Sequence, residues 1–187
     1  MKERIETWIL LFLVKGGEGR RERAFDRIWR KYYRRIRFFV QNRVPGDAED
    51  LTQEIMLKVY RNLERFDPNR SFNAWIYSIA RNHCINHAAK KRPETGGFPE
   101  GSSAGILPSG SNTPESAYLD LERRQVIDST LAALDQDLRE TAFLRFHEGM
   151  RGREIALITG VPEGTVKSRI HTIRAKLKEA LEVYNEN

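Results

Sequence analysis

The stretch VPEGTVKSRIHTIRAKLKEAL, residues 161–181, joins a Val-Pro-Glu-Gly turn to a segment with two unlike faces. At about 100° per residue, Val166, Ile170, Ile173 and Leu177 fall within about 60° of one another, a stripe that packs. Directly opposite lie Gly164, Ser168, His171, Thr172 and Ala175, all small or hydrogen-bonding. Lys167 and Arg174 flank this ridge on one edge, Arg169 and Lys176 on the other. Such a surface suits the major groove: the ridge approaches base edges while the basic flanks meet phosphates. A solvated basic face on an ordinary amphipathic helix would show the same stripe. What separates the two readings is the short helix before it, residues 151–159, the turn Gly160-Val161-Pro162, and the basic pair Arg151 and Arg153. Together they predict a helix-turn-helix whose second helix reads DNA.

The bulk composition fits that reading. The 187-residue chain is 40% apolar and 31% charged, with a formal net charge of +6, which points to a polyanion or an acidic membrane surface. The charge is uneven. Residues 1–92 hold 21 Lys/Arg against 11 Asp/Glu, and residues 151–178 hold seven basic against two acidic. The lone cysteine, Cys84, rules out an intramolecular disulfide and fits a reducing compartment. The apolar run Trp8–Val14 is too short to span a bilayer, which takes about 20 residues. It has the apolarity of a signal-peptide core, but no small-residue cleavage site follows. A short buried helix in a cytoplasmic protein is expected, with no membrane insertion.

Working outward, residues 93–115 have the Pro/Gly/Ser composition of a flexible linker, with a root-mean-square span of about 25–30 Å. Everything else reads as helix, so an all-α chain of two small modules is expected, residues 1–92 and 116–187. In the first, Phe25, Ile28, Tyr32, Ile36 and Phe39 keep helical spacing on a segment crowded with arginines. After the break at Val44-Pro45-Gly46, Asp47 is the expected N-cap of a second helix. Ser71 is the expected cap of a third, which buries Phe72, Trp75, Ile76, Ile79 and His83. In the second module one helix is expected over about 116–134, and another from Asp135–Asp137 to the stop at Gly149.

The segment DAEDLTQEIMLKVYRNL, residues 47–63, sets Leu51, Ile55 and Val59 towards the core and Asp50, Gln53, Glu54, Leu57 and Arg61 away from it. A leucine among carboxylates fits a docking site for a basic, partly apolar helix. It equally fits a solvated face with Leu57 turned inward. The third helix presents Asn73, Tyr77, Arg81 and Ile85 outward and ends in Lys90-Lys91-Arg92, a mixture suited to single-stranded DNA. His83, Cys84 and His87 are too few for a structural zinc site, which takes four ligands. No catalytic constellation or phosphate loop is present, so neither a cofactor nor an enzyme is expected.

Taken together these segments resemble the extracytoplasmic-function class of bacterial RNA polymerase sigma factors. AEDLTQEIMLKVYRNLERF resembles the family's region 2.2, SFNAWIYSIARNHCINHAAKKR its regions 2.3 and 2.4, and GMRGREIALITGVPEGTVKSRIHTIRAKL its region 4.2. The resemblance implies a transcription initiation factor whose partners are core RNA polymerase (the β′ coiled coil and the β subunit), promoter DNA as duplex and non-template single strand, and an anti-sigma factor. It implies that Asp50, Gln53, Glu54, Leu57 and Arg61 bind the polymerase. It assigns the minus-10 element to Phe66, Asn69, Arg70, Ser71, Asn73, Tyr77, Arg81, Asn82, Lys90, Lys91 and Arg92, with one base flipped out of the stack. The minus-35 element falls to Arg151, Arg153, Thr165, Lys167, Ser168, Arg169, His171, Thr172 and Arg174. Thr172 stands where many members carry arginine, and Pro162-Glu163 replaces the usual serine-type helix start. A free-standing helix-turn-helix regulator is the competing reading; it has no need of the acidic face around Leu57.

Overall fold

The computed structural model describes residues 18–44, 46–91 and 114–186. Among them are seven α-helices and no strand, the all-α class expected. The Trp8–Val14 run and residues 93–113 of the linker stretch lie outside those residues. The chain divides into two compact units, Met1–Pro99 and Glu100–Asn187.

The first unit contains α1 (Glu18–Gln41), α2 (Ala48–Asn62) and α3 (Phe72–Lys91). On α1, Ala24, Ile28, Tyr32, Ile36, Phe39 and Val40 recur every three or four residues, and all are buried. The helix closes as the Arg43 and Val44 N–H groups donate to the Val40 carbonyl at 2.9 and 2.8 Å. The Asn42 side-chain amide donates to the Phe38 carbonyl at 2.9 Å, satisfying an end that the coming proline leaves without continuation. Gly46 then takes φ +100°, a conformation costly for any residue with a Cβ.

Helix α2 carries Glu49 and Asp50 in its first turn and Arg61 in its last, the charge order that suits the helix dipole. Its N-cap differs from expectation. Asp47 occupies the position, but its side chain makes no cap bond; the carboxylate Oδ2 lies 3.0 Å from His87 Nε2 on α3. A charge-assisted bond across the bundle has displaced a local one. Ser71 does cap α3, its Oγ accepting from the Ala74 N–H at 3.3 Å.

Helix α3 packs against both α1 and α2. Its buried face therefore covers a wide arc: Phe72, Ala74, Ile76, Tyr77, Ala80, His83 and Cys84 are buried, whereas Trp75 and Ile79 are only half-buried. Aromatic rings hold this junction together. Phe66, Phe72 and Trp75 meet in a triangle with centroids 4.9–5.3 Å apart, and Phe39 meets Tyr77 edge-on at 5.3 Å. Each such pair adds about 0.5–1.5 kcal/mol beyond the area it buries. At the other end of α1, Arg21 donates to Glu64 at 2.9 Å and to the Tyr60 carbonyl at 3.0 Å, tying α1 to the end of α2.

The second unit contains α4 (Pro114–Ala132), α5 (Gln136–Ala142), α6 (Gly152–Thr159) and α7 (Glu163–Glu186). Asp135 caps α5, accepting from the Leu138 N–H at 2.9 Å. The helix expected to run unbroken to Gly149 widens into a π-helical turn over Phe143–His147. Gly149, at φ +67°, then reverses the chain. Arg139 donates to the Ala132 and Leu134 carbonyls at 2.8 and 2.7 Å, closing the open end of α4 from the next helix. The core joins Leu131, Leu134, Ala142 and Ile173, with Ile127, Leu138 and Leu177 against it, so α7 is the element on which the rest converge.

Truncating Ile173 to alanine is expected to cost about 2–5 kcal/mol, the loss seen when a fully buried aliphatic side chain leaves a cavity. Leu157→Ala, at a side chain 72% exposed, is expected to change stability by less than about 0.5 kcal/mol. Urea unfolding of the two variants checks this; equal losses would place the core of the second unit elsewhere.

Candidate nucleic-acid interface

Helices α6 and α7 are joined at Gly160, whose left-handed φ of +73° ends α6 as its N–H donates to the Ala156 carbonyl at 2.9 Å. The start of α6 is closed by Glu154, which accepts from the Arg151 N–H at 2.9 Å while its own N–H donates to the Arg151 carbonyl. These two ends place a short helix and a long one in the helix-turn-helix arrangement.

The rotation of α7 follows from its apolar stripe. Val166 and Ile173 are fully buried, with Ile170 and Leu177 half-buried. The opposite side is open: Gly164, Thr165, Lys167, Ser168, His171, Arg174 and Ala175 are exposed, as are Arg151 and Arg153 at the start of α6. Three members of the expected reading set are already engaged. The Lys167 amine lies 3.8 Å from the Glu163 carboxylate, one turn before it. The Thr172 hydroxyl donates to the Ser168 carbonyl at 3.1 Å. The Arg169 guanidinium is bonded to the Asp137 carboxylate on α5 and is only 17% exposed. Asp135, Gln136 and Asp137 therefore line a recess with Ser168, Arg169 and Thr172 along one edge of the ridge.

In the first unit, Asp50, Gln53, Glu54, Leu57 and Arg61 share one side of α2 and all are exposed. Leu57 is 52% exposed, so it does not turn inward, and that alternative falls. Sequence reasoning missed a bonded chain behind this face. Lys58 Nζ lies 2.6 Å from His83 Nδ1, and His83 Nε2 lies 2.7 Å from Glu54 Oε2. An ammonium can only donate, so Nδ1 accepts and the proton sits on Nε2, from which it is donated to Glu54. The nearly buried His83 thus holds one carboxylate of the exposed face from beneath. Nothing local in the sequence signals it, because its partners lie 25 and 29 residues away.

The expected single-strand surface needs correction. Tyr77 is fully buried against Phe39 and does not face outward. Phe66 is buried in the aromatic triangle. Asn73 is half-buried, accepting a bond from the Tyr32 hydroxyl, and Ser71 is used as a cap. The reason is the double packing of α3, which turns the Tyr77 side of the helix into the core. What remains open on α3 is a strip with Asn82 and Ile85 exposed and Trp75, Ser78 and Arg81 half-exposed. Asn69, Arg70 and Lys90 are also exposed. Asn69 is braced on Asp67, its backbone and side-chain N–H groups donating to Oδ1 at 2.9 and 3.1 Å. Arg92 and the side chain of Lys91 lie outside the described residues. Both candidate metal-binding histidines pair with carboxylates, His83 with Glu54 and His87 with Asp47, and Cys84 is buried.

Residues 28–94 match the model of Sigma-70 region 2, and residues 124–177 match that of Sigma-70, region 4. The chain is 35% identical over 185 residues to the ECF RNA polymerase sigma-E factor of Escherichia coli (strain K12), covering 93% of each protein. It is 33% identical over 141 residues to the ECF RNA polymerase sigma factor SigW of Bacillus subtilis, covering 72% of this chain and 75% of that one. Among solved structures it is similar to the sigma factor RpoE of Bartonella quintana in complex with the anti-sigma factor NepR. There the TM-score is 0.65 at 28% identity, covering 85% of this chain and 97% of that one. With its helical bundle matching region 2 and its helix-turn-helix matching region 4, the chain belongs to the sigma-70 family, in the extracytoplasmic-function class.

Proposed function

We propose that this chain binds core RNA polymerase and directs it to promoters, with its two units dividing the labour. The observation that carries the reading is the open ridge of α7, small side chains bordered by Lys167 and Arg174, in the same chain as the exposed acidic and apolar face of α2. The α7 ridge enters the major groove of the minus-35 element, with Ser168 and His171 towards base edges and Lys167, Arg174, Arg151 and Arg153 towards phosphates. Leu57 supplies the apolar anchor of the polymerase-binding face; Asp50 and Glu54 set its charge and Gln53 and Arg61 its edges. The strip of α3 around Trp75, Arg81 and Asn82, with Asn69 and Arg70 beside it, takes the unstacked minus-10 strand, the indole ring offering a stacking surface. The setting is the cytosol, where core polymerase works. Among the described residues no helix is long and apolar enough to cross a membrane. An anti-sigma factor is the proposed regulator, since the similar RpoE is seen with one.

The first experiment is run-off transcription with core polymerase and random upstream DNA, sequencing the starts. Transcripts dependent on this chain and sharing two spaced upstream motifs are expected. Tight duplex binding without polymerase, and no transcripts, would replace this reading with a free-standing regulator.

Lys167→Ala with Arg174→Ala is expected to lower the salt slope of promoter binding by about 1.8, two phosphate contacts at about 0.9 each, with polymerase affinity unchanged. Loss of polymerase binding instead would show that α7 serves the wrong partner in this scheme. Asp50→Arg with Leu57→Ala is expected to weaken core binding at least about thirtyfold, the loss of a central anchor, with the circular dichroism spectrum intact. Full-strength competition for core by that variant would move the docking face elsewhere. Asp137→Asn, which releases Arg169 and removes a negative charge beside the ridge, is expected to tighten minus-35 DNA binding by about threefold. Weaker DNA binding in that variant would instead make Arg169 a brace between α5 and α7.

A further inference from the structure

The outer side of α1 has no part in either surface described above. Arg20, Arg23, Arg27, Lys31 and Arg34 lie within about 80° of one another around the helix axis and extend over about 21 Å of its length. All five are exposed. The neighbouring Arg30 is held by Asp26 at 3.0 Å, and Arg37 faces Glu49 at 3.9 Å. The Arg23 guanidinium donates to the Gly19 carbonyl and the Lys31 amine lies over the Tyr32 ring. Among the described residues no carboxylate reaches Arg20, Arg27 or Arg34.

Such a stripe works against its own helix. Arg23, Arg27 and Lys31 repeat at i, i+4, where like charges repel and where a glutamate would have stabilised the helix instead. A polyanion laid along the stripe reverses the sign of that interaction. The choice of residue points the same way, since four of the five cations are arginines, whose planar fork binds phosphate oxygens in pairs. The stripe lies opposite the Ile28, Tyr32 and Ile36 side of α1, which is buried, so it is available whatever occupies α2 and α3.

We propose that the outer face of α1 is a phosphate-binding surface that grips the backbone of promoter DNA, independently of sequence, when polymerase holds the DNA on this chain. The inference rests on the reading of the chain as a promoter-directing subunit and adds a contact surface to it. It supplies affinity and salt dependence without specificity, since phosphates carry no base identity.

The test uses holoenzyme assembled from core polymerase and the full chain, with a promoter fragment recovered in the run-off assay. Wild-type holoenzyme must first yield transcripts; if it does not, the underlying reading fails rather than this one. Arg20→Gln/Arg27→Gln/Arg34→Gln is then compared with wild type for DNA affinity between about 50 and 200 mM salt, a range that resolves phosphate contacts. The expected result is a slope of log affinity on log salt shallower by about 2–2.7, three contacts at about 0.7–0.9 each, with core affinity unchanged and transcription start sites unmoved. Replacing the same three arginines by lysine should restore most of the slope. A loss confined to templates with a pre-opened bubble assigns the grip to the single strand, and a loss on closed templates assigns it to duplex. An unchanged slope overturns the proposal. So does a fall in core affinity at unchanged slope, which would make the stripe a contact for an acidic protein surface.

Discussion

The seating of Val166 and Ile173 in the core of the second unit fixes how α7 is turned, and the DNA-reading role proposed for this helix depends on that turn. The helix presents a ridge only because its opposite stripe meets Leu131, Leu134 and Ala142 from the helices before it. A rotation by one residue, about 100°, would bring Lys167 inward, and burying an unpaired charge is prohibitive. Burial and exposure on α7 are thus one constraint seen from two sides. Arg169 lies at the border between them and takes its partner from α5.

The first unit obeys a related logic with an extra demand. Helix α3 is clasped by α1 and α2 together, so it surrenders Tyr77 and Cys84 to the interior as well as Phe72 and Ile76. The remaining open strip is narrow, and its aromatic contribution comes from Trp75 on the rim of the Phe66–Phe72 cluster. The two histidines at this junction are paired across helices, His83 with Lys58 and Glu54, and His87 with Asp47. Because buried polar groups are costly without partners, these pairs specify one register of α2 on α3. In the His83 chain they also reach the exposed face around Leu57.

Charge is divided by surface rather than spread evenly. The exposed side of α2 carries Asp50 and Glu54 around a leucine, while α1 and the start of α7 expose arginine and lysine. A protein that must meet both a protein partner and a nucleic acid is served by this separation, since like charges reject the wrong partner while opposite charges steer the right one. In the function proposed above, polymerase and DNA each take one of these faces.

By itself the sequence determined the helical class, the turns and the rotation of α7, because these depend on residues close in the chain. The Val166–Leu177 stripe, the Gly160 and Gly149 stops and the Ser71 and Asp135 caps each act within a few positions. The exposure of Leu57 could not be decided that way, as both faces of α2 carry apolar residues and only the placement of α1 and α3 chooses between them. Tyr77 and Trp75 exchanged their expected roles for the same reason: periodicity reports one preferred face, and a helix packed on two sides has a wider one. The Asp47–His87, His83–Glu54 and Arg169–Asp137 pairs lie beyond any local reading. Their members are 29–40 residues apart, and such partners meet only once the helices have packed.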